Sequence, residues 1–195
     1  MQTSSIRGST YFLTFIDDFS RNTWIYFLKH KYDVLGCFRQ FKSLVEKQSG
    51  YYIKCLRTDR GGVYISREFQ NFCKVHGIYK QFTTPQPNCV TKRKNRTIMK
   101  MTRSMLTAKQ LTNEYCAEEA TNAIYLLNIC PTKSVKNRVP KEAWTGSKHN
   151  VAHLNFFGCM TYVHVPDDLR RKHDKKGHKC IFVGHSEETK RIQVV

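Results

Sequence analysis

One aspartate stands in a setting suited to chemistry. Asp59 follows a β-prone segment, residues 52–56, and precedes the glycine pair Gly61-Gly62. Glycines directly after a strand permit a tight turn, which would project the acidic side chain from the end of a sheet. Metal-dependent phosphoryl transfer requires several carboxylates around one or two divalent ions, so one aspartate is not enough. The alternative is a structural aspartate that forms or caps the turn before the glycines.

The second candidate is a basic segment at residues 88–105. At about 100° per residue it predicts an amphipathic helix with Asn88 as its N-cap. Its apolar face, suited to a protein core, consists of Val90, Ile98, Met101 and Met105. The opposite stripe is cationic and contains Lys92, Arg96, Lys100 and Arg103. No acidic residue lies between Glu68 and Glu114, so this face suits a polyanionic partner.

The overall charge points to the same kind of partner. The 195 residues carry a formal net charge of +18, which is typical of proteins that bind nucleic acid or an anionic membrane. The sequence contains no apolar run of membrane-spanning length, no secretory signal and no lipidation motif. Nucleic acid is therefore the predicted partner. An apolar content of 40% supports a real core, in one sizeable domain or one domain plus a small module.

The eight cysteines are scattered without a CxxC pair. This pattern predicts reduced, partly buried thiols in an intracellular protein rather than a disulfide framework. A zinc site built from His173, His178 and Cys180 is the alternative, although their spacing matches no standard pattern.

The elements that would position these residues alternate between strands and helices. Predicted strands lie at 11–16, 23–28, 52–56 and 78–83, the first two forming an antiparallel hairpin. Predicted helices lie at 31–47, 66–76, 88–105 and 113–129, with a helical turn at 141–146. A β-rich tail follows from Leu154. These elements predict an α/β layer fold with a small all-β module.

Five segments carry recognisable motifs: YFLTFIDDFSRNTWIYFL at 11–28, LRTDRGGVY at 56–64, NCVTKRKNRTI at 88–98, AWTG at 143–146 and NFFGCMTY at 155–162. In this order they resemble the integrase of Copia-type LTR retrotransposons over almost the whole chain. The resemblance implies an RNase H-like core, a mixed sheet flanked by helices, at residues 1–110 without its first strand. A helical extension at 111–150 and part of an SH3-like β module at 151–195 would follow.

The resemblance also implies a catalytic apparatus, which this sequence matches only in part. The family uses an Asp, Asp, Glu triad with Mg²⁺ or Mn²⁺ to process element DNA ends and join them to target DNA. Asp59 matches the second aspartate, whereas the first precedes the segment that matches Met1. Asp17 and Asp18 match an acidic pair outside the triad. Lys92 aligns with the glutamate.

A lysine at the glutamate position removes a metal ligand and repels the ion. Two like unit charges about 4 Å apart repel by about 4 kcal/mol at an effective dielectric near 20, and this ion is divalent. Further departures are Cys89 in place of a glycine and Val63 in place of a glutamate. We therefore expect a vestigial Asp59, weak metal binding if any, and no strand transfer. A metal site rebuilt from Asp17 or Asp18 is the alternative.

DNA binding needs only cations on an accessible surface, so it should survive these losses without sequence specificity. The predicted contacts are Lys92, Arg93, Arg96, Lys100, Arg103, Arg57 and Arg60. RNA is an alternative ligand, and the resemblance implies homo-oligomers and a nuclear location. The tail cations at 170–172 and 175–176 form either an import-like patch or a solvated loop.

Four alternatives remain open from the sequence. The basic helix face could be solvated and have no partner. The chain could be an active integrase completed by a partner chain that supplies the missing strand. It could be a domesticated DNA-binding, RNA-binding or interaction protein. Finally, an unpaired sheet edge could prevent stable folding.

Overall fold

The computed structural model describes residues 4–59, 61–83, 89–150, 158–171, 175–185 and 192–194. Its strands are β1 (Tyr11–Ile16), β2 (Thr23–Leu28), β3 (Cys55–Thr58), β4 (Tyr79–Phe82), β5 (Met160–His164), β6 (Gly177–His185) and β7 (Ile192–Val194). Its α-helices are α1 (Val34–Ser49), α2 (Gly62–Ile65), α3 (Arg67–Val75), α4 (Cys89–Ala108), α5 (Cys116–Ile129) and α6 (Pro140–Thr145). Short 3₁₀ turns precede α1 and α5 and follow β5.

The strands form three small sheets. β1 and β2 pair antiparallel, with Tyr11 opposite Leu28 and Ile16 opposite Thr23, which confirms the predicted hairpin. β3 and β4 pair in parallel as a second two-stranded sheet. In the tail, β6 lies between β5 and β7 in an antiparallel sheet. The predicted α/β class is confirmed, but the core strands are divided between two sheets instead of one continuous mixed sheet.

One aromatic core joins the first two sheets. Phe38 on α1 is fully buried and packs against Phe15 of β1 and Phe69 of α3, with ring centroids 5.8 and 5.4 Å apart. Leu56 of β3 packs against the same cluster. Because α1 carries its apolar residues at helical spacing, it presents one face to both sheets. The helix ends at Gly50, whose φ of 72° suits a glycine.

A second, smaller cluster lies on the other side of the hairpin. Ile98 of α4 packs with Ala120 and Ile124 of α5, and Ile25 and Phe27 of β2 pack against this cluster. The β1–β2 sheet is therefore covered by α1 on one face and by α4 and α5 on the other. This arrangement fixes which side of α4 points inward.

Several local predictions need correction. β3 begins at Cys55, three residues later than the predicted strand, and α2 forms where only a glycine turn was expected. Val90 is 46% exposed and does not belong to the core face of α4. Thr102 and Leu106 are buried there instead, because the helix is rotated toward α5. The predicted N-cap, Asn88, lies outside the described residues.

No helix in the described ranges has the length and apolar character needed to span a membrane.

Candidate nucleic-acid interface and residual acidic site

Asp59 lies just beyond the end of β3 and is exposed. Its Oδ1 accepts a hydrogen bond from the Gly61 N–H at 3.1 Å, the geometry of a side-chain turn. A Cβ on Gly61 would lie 3.0 Å from that same oxygen, so a larger residue there would require the carboxylate to shift. Asp59 also contributes, after burial, to raising the pKa of Tyr64 to about 12. This geometry is compatible with the structural alternative for this aspartate, which stays a prediction.

The acidic pair after β1 is engaged in local structure. Asp17 Oδ2 accepts from both the N–H and the hydroxyl of Ser20 at 2.7 Å, closing the hairpin turn. Asp18 pairs with Arg21 at 2.6 Å and with Arg57 Nη1 at 3.5 Å. Both carboxylates are therefore occupied by turn and ion-pair partners.

The described residues do not fit a divalent-ion site. Within the ranges that the structure describes, no three His, Cys, Asp or Glu side chains converge closely enough to hold a metal ion. A hard cation such as Mg²⁺ needs several oxygen ligands, which the Asp59 carboxylate alone does not supply. The zinc alternative includes His173, which lies outside the described residues; His178 and Cys180 are both on β6.

The cations of α4 form a continuous exposed face. Lys92, Arg96, Lys100 and Arg103 are all exposed, and Arg93 lies beside them on the same side. At 100° per residue these five positions fall within an arc of about 100°, and they extend about 17 Å along the helix axis. We call these five residues the α4 cationic face.

Packing on the opposite side of α4 holds this face outward. Ile98 is fully buried, and the Thr14 hydroxyl of β1 donates to Asn95 Oδ1 at 2.8 Å. Lys94, next to Asn95, is half-buried, and burial lowers the pKa of its amine. This burial distinguishes Lys94 from the exposed cations.

The two other predicted contact residues, Arg57 and Arg60, are not part of α4. Arg57 is on β3, where its Nε donates to Gln81 Oε1 at 3.1 Å in addition to the Asp18 contact. Arg57 therefore already has a hydrogen-bond partner on β4 and an ion-pair partner in the turn after β1. Arg60 lies outside the described residues.

A buried acid was missed by the sequence reasoning. Glu119 on α5 is 0% exposed, and within the described ranges no group meets hydrogen-bond geometry at either carboxylate oxygen. Burial raises the pKa of Glu119 to about 8, with the Asn122 side chain acting weakly in the opposite direction. Nothing in the local pattern identifies it, since glutamate in a helix is ordinarily exposed.

The cysteines follow the prediction only in part. Seven cysteines are free thiols: Cys37, Cys55, Cys73, Cys116, Cys130, Cys159 and Cys180. Cys55 and Cys130 are exposed, whereas Cys73 is buried. Burial raises the pKa of the Cys73 thiol, which is therefore protonated at neutral pH. A disulfide framework is not present among the described residues.

Comparison with solved structures defines the fold class. The magnesium complex of the HTLV-2 integrase catalytic core domain, in its trimeric form, matches 67% of this chain and 81% of its own, with a TM-score of 0.52 and 20% identity. The simian T-cell lymphotropic virus intasome, in complex with a PP2A regulatory subunit, matches 94% of this chain and 69% of its own, with a TM-score of 0.55 and 14% identity. At such identities the likeness establishes the fold alone, which is that of an RNase H-like integrase core.

Sequence comparisons then give the family. The integrase core domain family matches residues 2–87, and the retroviral polymerase SH3-like domain family matches residues 159–195. The retrovirus-related Pol polyprotein from transposon TNT 1-94 of Nicotiana tabacum is 42% identical over 191 residues, which are 96% of this chain and 14% of that polyprotein. The chain is homologous to Copia-like retrotransposon Pol polyproteins and carries an integrase core match followed by an SH3-like match. It spans about a seventh of the length of this curated relative.

Proposed function

We propose that this chain is a degenerate retrotransposon integrase that binds DNA through the α4 cationic face and does not catalyse strand transfer. The observation that carries the DNA-binding part is the exposure of these cations on one side of a helix whose other side is held by Ile98 and Asn95. Phosphate contacts require only accessible cations and are independent of base sequence. The net charge of +18 supports the same partner.

The loss of catalysis is supported by the acidic site. Asp59 is the single matched triad member, and its carboxylate bonds the turn at Gly61. Lys92, aligned with the family glutamate, is an exposed cation on α4. The magnesium in the HTLV-2 complex belongs to that protein, and productive binding of Mg²⁺ or Mn²⁺ here is not expected, because a lysine opposes a divalent ion.

The remaining parts of the proposal concern organisation. We propose an integrase core at residues 1–110, a helical extension at 111–150 and a partial SH3-like module at 151–195. The HTLV-2 core domain occurs in trimeric and dimeric forms, which supports homo-oligomers here. We also propose a nuclear location, which the family resemblance implies.

DNA binding is tested by charge reversal with a matched control. The α4 variant changes Lys92, Arg96, Lys100 and Arg103 to Glu. The control changes four exposed cations elsewhere to Glu: Lys47, Lys133, Lys136 and Arg138. Each reversal removes two charges, so both variants carry a net +10.

In a gel-shift assay with duplex DNA, we expect the α4 variant to bind at least about a hundredfold more weakly than the unmodified chain, and the control variant to lose much less. Equal losses in the two variants would show that bulk charge, not α4, binds DNA. An RNA of the same length is the comparison ligand, because it shares the phosphates.

Catalysis is tested by a strand-transfer assay with Mg²⁺ or Mn²⁺. We expect no joined product from the unmodified chain or from Asp59→Asn. Robust joining that Asp59→Asn abolishes would overturn the inactive assignment and would leave the DNA-binding proposal intact.

A further inference from the structure

β4 has an open edge on the side away from β3. The Tyr79 N–H donates to the Lys54 carbonyl at 2.9 Å, so alternate residues of β4, beginning with Tyr79, face β3. The N–H and carbonyl groups of Lys80 and Phe82 therefore point away from β3. Among the described residues, no backbone group bonds them. This edge can therefore pair with a further strand.

A groove runs beside this edge, between β4 and α3. The volume of the groove is about 290 Å³, which is small for a drug-sized ligand and sufficient for side chains of an extended peptide. Its lining alternates along the strand, as one face of β4 requires. The lining residues are Gln70, Cys73 and Lys74 of α3, Ile78, and Lys80 and Phe82 of β4.

The groove combines an apolar lining with positive charge. Cys73 and Ile78 are buried, whereas the Phe82 side chain is 41% exposed and available for contact. Lys74 is exposed, Lys80 is half-buried, and the residues that line the groove include no acid. The lining is therefore complementary to a ligand that carries both an apolar side chain and a carboxylate.

Lys80 is held in place by its neighbours. Its Nζ donates to the Tyr64 carbonyl at 2.7 Å and lies 5.7 Å from the centroid of the Phe69 ring and 5.2 Å from that of Phe82. These contacts fix the amine against two aromatic rings. Because Lys80 and Phe82 are ordered before a ligand arrives, binding costs little of their side-chain entropy.

Charge distinguishes the possible occupants of this groove. Pairing of two β4 edges from two copies of the chain would bring Lys74 and Lys80 of both copies together, and each copy carries a net +18. Like charges across such a seam are destabilising, and an edge lysine is a common protection against self-pairing. An acidic partner gains from the same two cations.

We propose that the groove between α3 and β4 is a docking site for an extended acidic peptide of a partner protein. The peptide adds to β4 as a strand through the backbone groups of Lys80 and Phe82. It places an apolar side chain against Phe82 and a carboxylate beside Lys74. Alternate residues of a strand share a face, so these two side chains are two positions apart in the peptide. In such strand addition, main-chain hydrogen bonds give affinity and the groove gives specificity.

The test uses the full chain and a capped peptide of about seven residues, Ser-Leu-Ser-Glu-Ser-Leu-Ser, which is long enough to span β4. Its leucines and its glutamate lie on one face of a strand. The control peptide has lysine in place of the glutamate. Hydrogen exchange at the Lys80 and Phe82 amides reports pairing at the open edge. The Tyr79 and Gln81 amides face β3 and serve as the internal reference.

At about 2 mM of the glutamate peptide, we expect exchange at Lys80 and Phe82 to slow at least about threefold, as a Kd below about 1 mM requires. The reference amides should change less, and the lysine peptide should have no effect. Unchanged exchange at both open positions would overturn the proposal, as would equal slowing by the two peptides.

A charge exchange tests the role of Lys74. Lys74→Glu should weaken binding of the glutamate peptide at least about threefold and allow the lysine peptide to bind. Lys47→Glu makes the same charge change at an exposed position on α1 and is the control. Equal effects of the two substitutions would contradict a carboxylate site at Lys74.

Nucleic acid is the competing occupant. In the α4 charge-reversal variant, an oligothymidylate that displaces the peptide from Lys80 and Phe82 would assign the groove to nucleic acid and overturn the proposal. Retention of the peptide is the expected result. Because this variant lacks the α4 cationic face, the outcome does not depend on DNA binding by α4, and the two proposals fail separately.

Discussion

The Asn128 side chain of α5 is bonded to both backbone groups of Thr23 on β2. Its Nδ2 donates to the Thr23 carbonyl at 2.8 Å, and its Oδ1 accepts from the Thr23 N–H at 3.0 Å. Both residues are buried. Thr23 faces away from β1 in the ladder, so the amide closes the outer edge of β2 at this point and ties α5 to the hairpin.

Replacement of this amide should destabilise the fold. Asn128→Ala leaves a buried N–H and a buried carbonyl without partners, and we expect it to lower the free energy of unfolding by about 2 kcal/mol. Urea denaturation measures the change. Asn113→Ala, at an exposed position before α5, is the control and should change the free energy by less than about 0.5 kcal/mol. Similar effects of the two substitutions would contradict the importance of the edge contact.

Glu119 should make stability depend on pH. Its pKa is about 8 in the folded chain, above the ordinary value of 4.5. The folded state therefore holds a proton that the unfolded state releases. This contribution is fully present below pH 4.5 and is lost as the pH rises toward 8, at about 1.4 kcal/mol per pH unit.

The variant Glu119→Gln removes this titration. We expect its stability, relative to the unmodified chain, to improve steadily between pH 5 and pH 8 in urea denaturation. Glu114→Gln, at an exposed position, should show no such trend. Parallel pH profiles for the unmodified chain and Glu119→Gln would mean that Glu119 ionises normally.

The two adjacent glycines after Asp59 should respond differently to alanine. Gly61→Ala places a Cβ 3.0 Å from Asp59 Oδ1, which must move and weaken the turn bond. We expect a loss of about 1 kcal/mol in the free energy of unfolding. Gly62→Ala meets no atom within 4 Å and should be neutral or slightly stabilising, because alanine restricts the unfolded chain. Thermal or urea unfolding distinguishes the two, and an equal response would rule out the close contact.

Individual cations of α4 should appear in the salt dependence of DNA binding. Removing one phosphate contact reduces the slope of log K against log salt by about 0.9. We expect this reduction for Arg96→Gln, measured by fluorescence anisotropy at several salt concentrations. Lys133→Gln, at an exposed position outside α4, should leave the slope unchanged. A full slope in Arg96→Gln would remove this residue from the interface.

The correspondence between Lys92 and the family glutamate predicts a selective gain of metal affinity. Lys92→Glu replaces a repelling amine with a ligand, so we expect Mn²⁺ to bind at least about tenfold more tightly. Lys100→Glu makes the same charge change on the same face and is the control. The gain should disappear when Asp59→Asn is added. Isothermal titration calorimetry measures all three, and equal gains in both lysine variants would contradict the correspondence.

Local structure was largely predictable because it depends on neighbours in sequence. The strands at Tyr11–Ile16 and Thr23–Leu28 have the predicted bounds. The Ser66 hydroxyl caps α3 through the Phe69 N–H, as expected from a serine before an amphipathic run. The family relationship was also visible in the sequence, since its motifs are short and ordered. The start of β3 was misplaced because Tyr51 and Tyr52 are β-prone yet exposed.

The sequence by itself determined the hairpin, the helical periodicities, the basic character of α4 and the family relationship. Each of these depends on residue types at short spacing along the chain. Only the tertiary structure decided that the core strands divide between two sheets, which side of α4 faces solvent and that Glu119 is buried. Thr23 and Asn128 are 105 positions apart, and no local sequence pattern predicts a contact between them. Their bond depends on how the helices pack over the sheet, which is a property of the whole core.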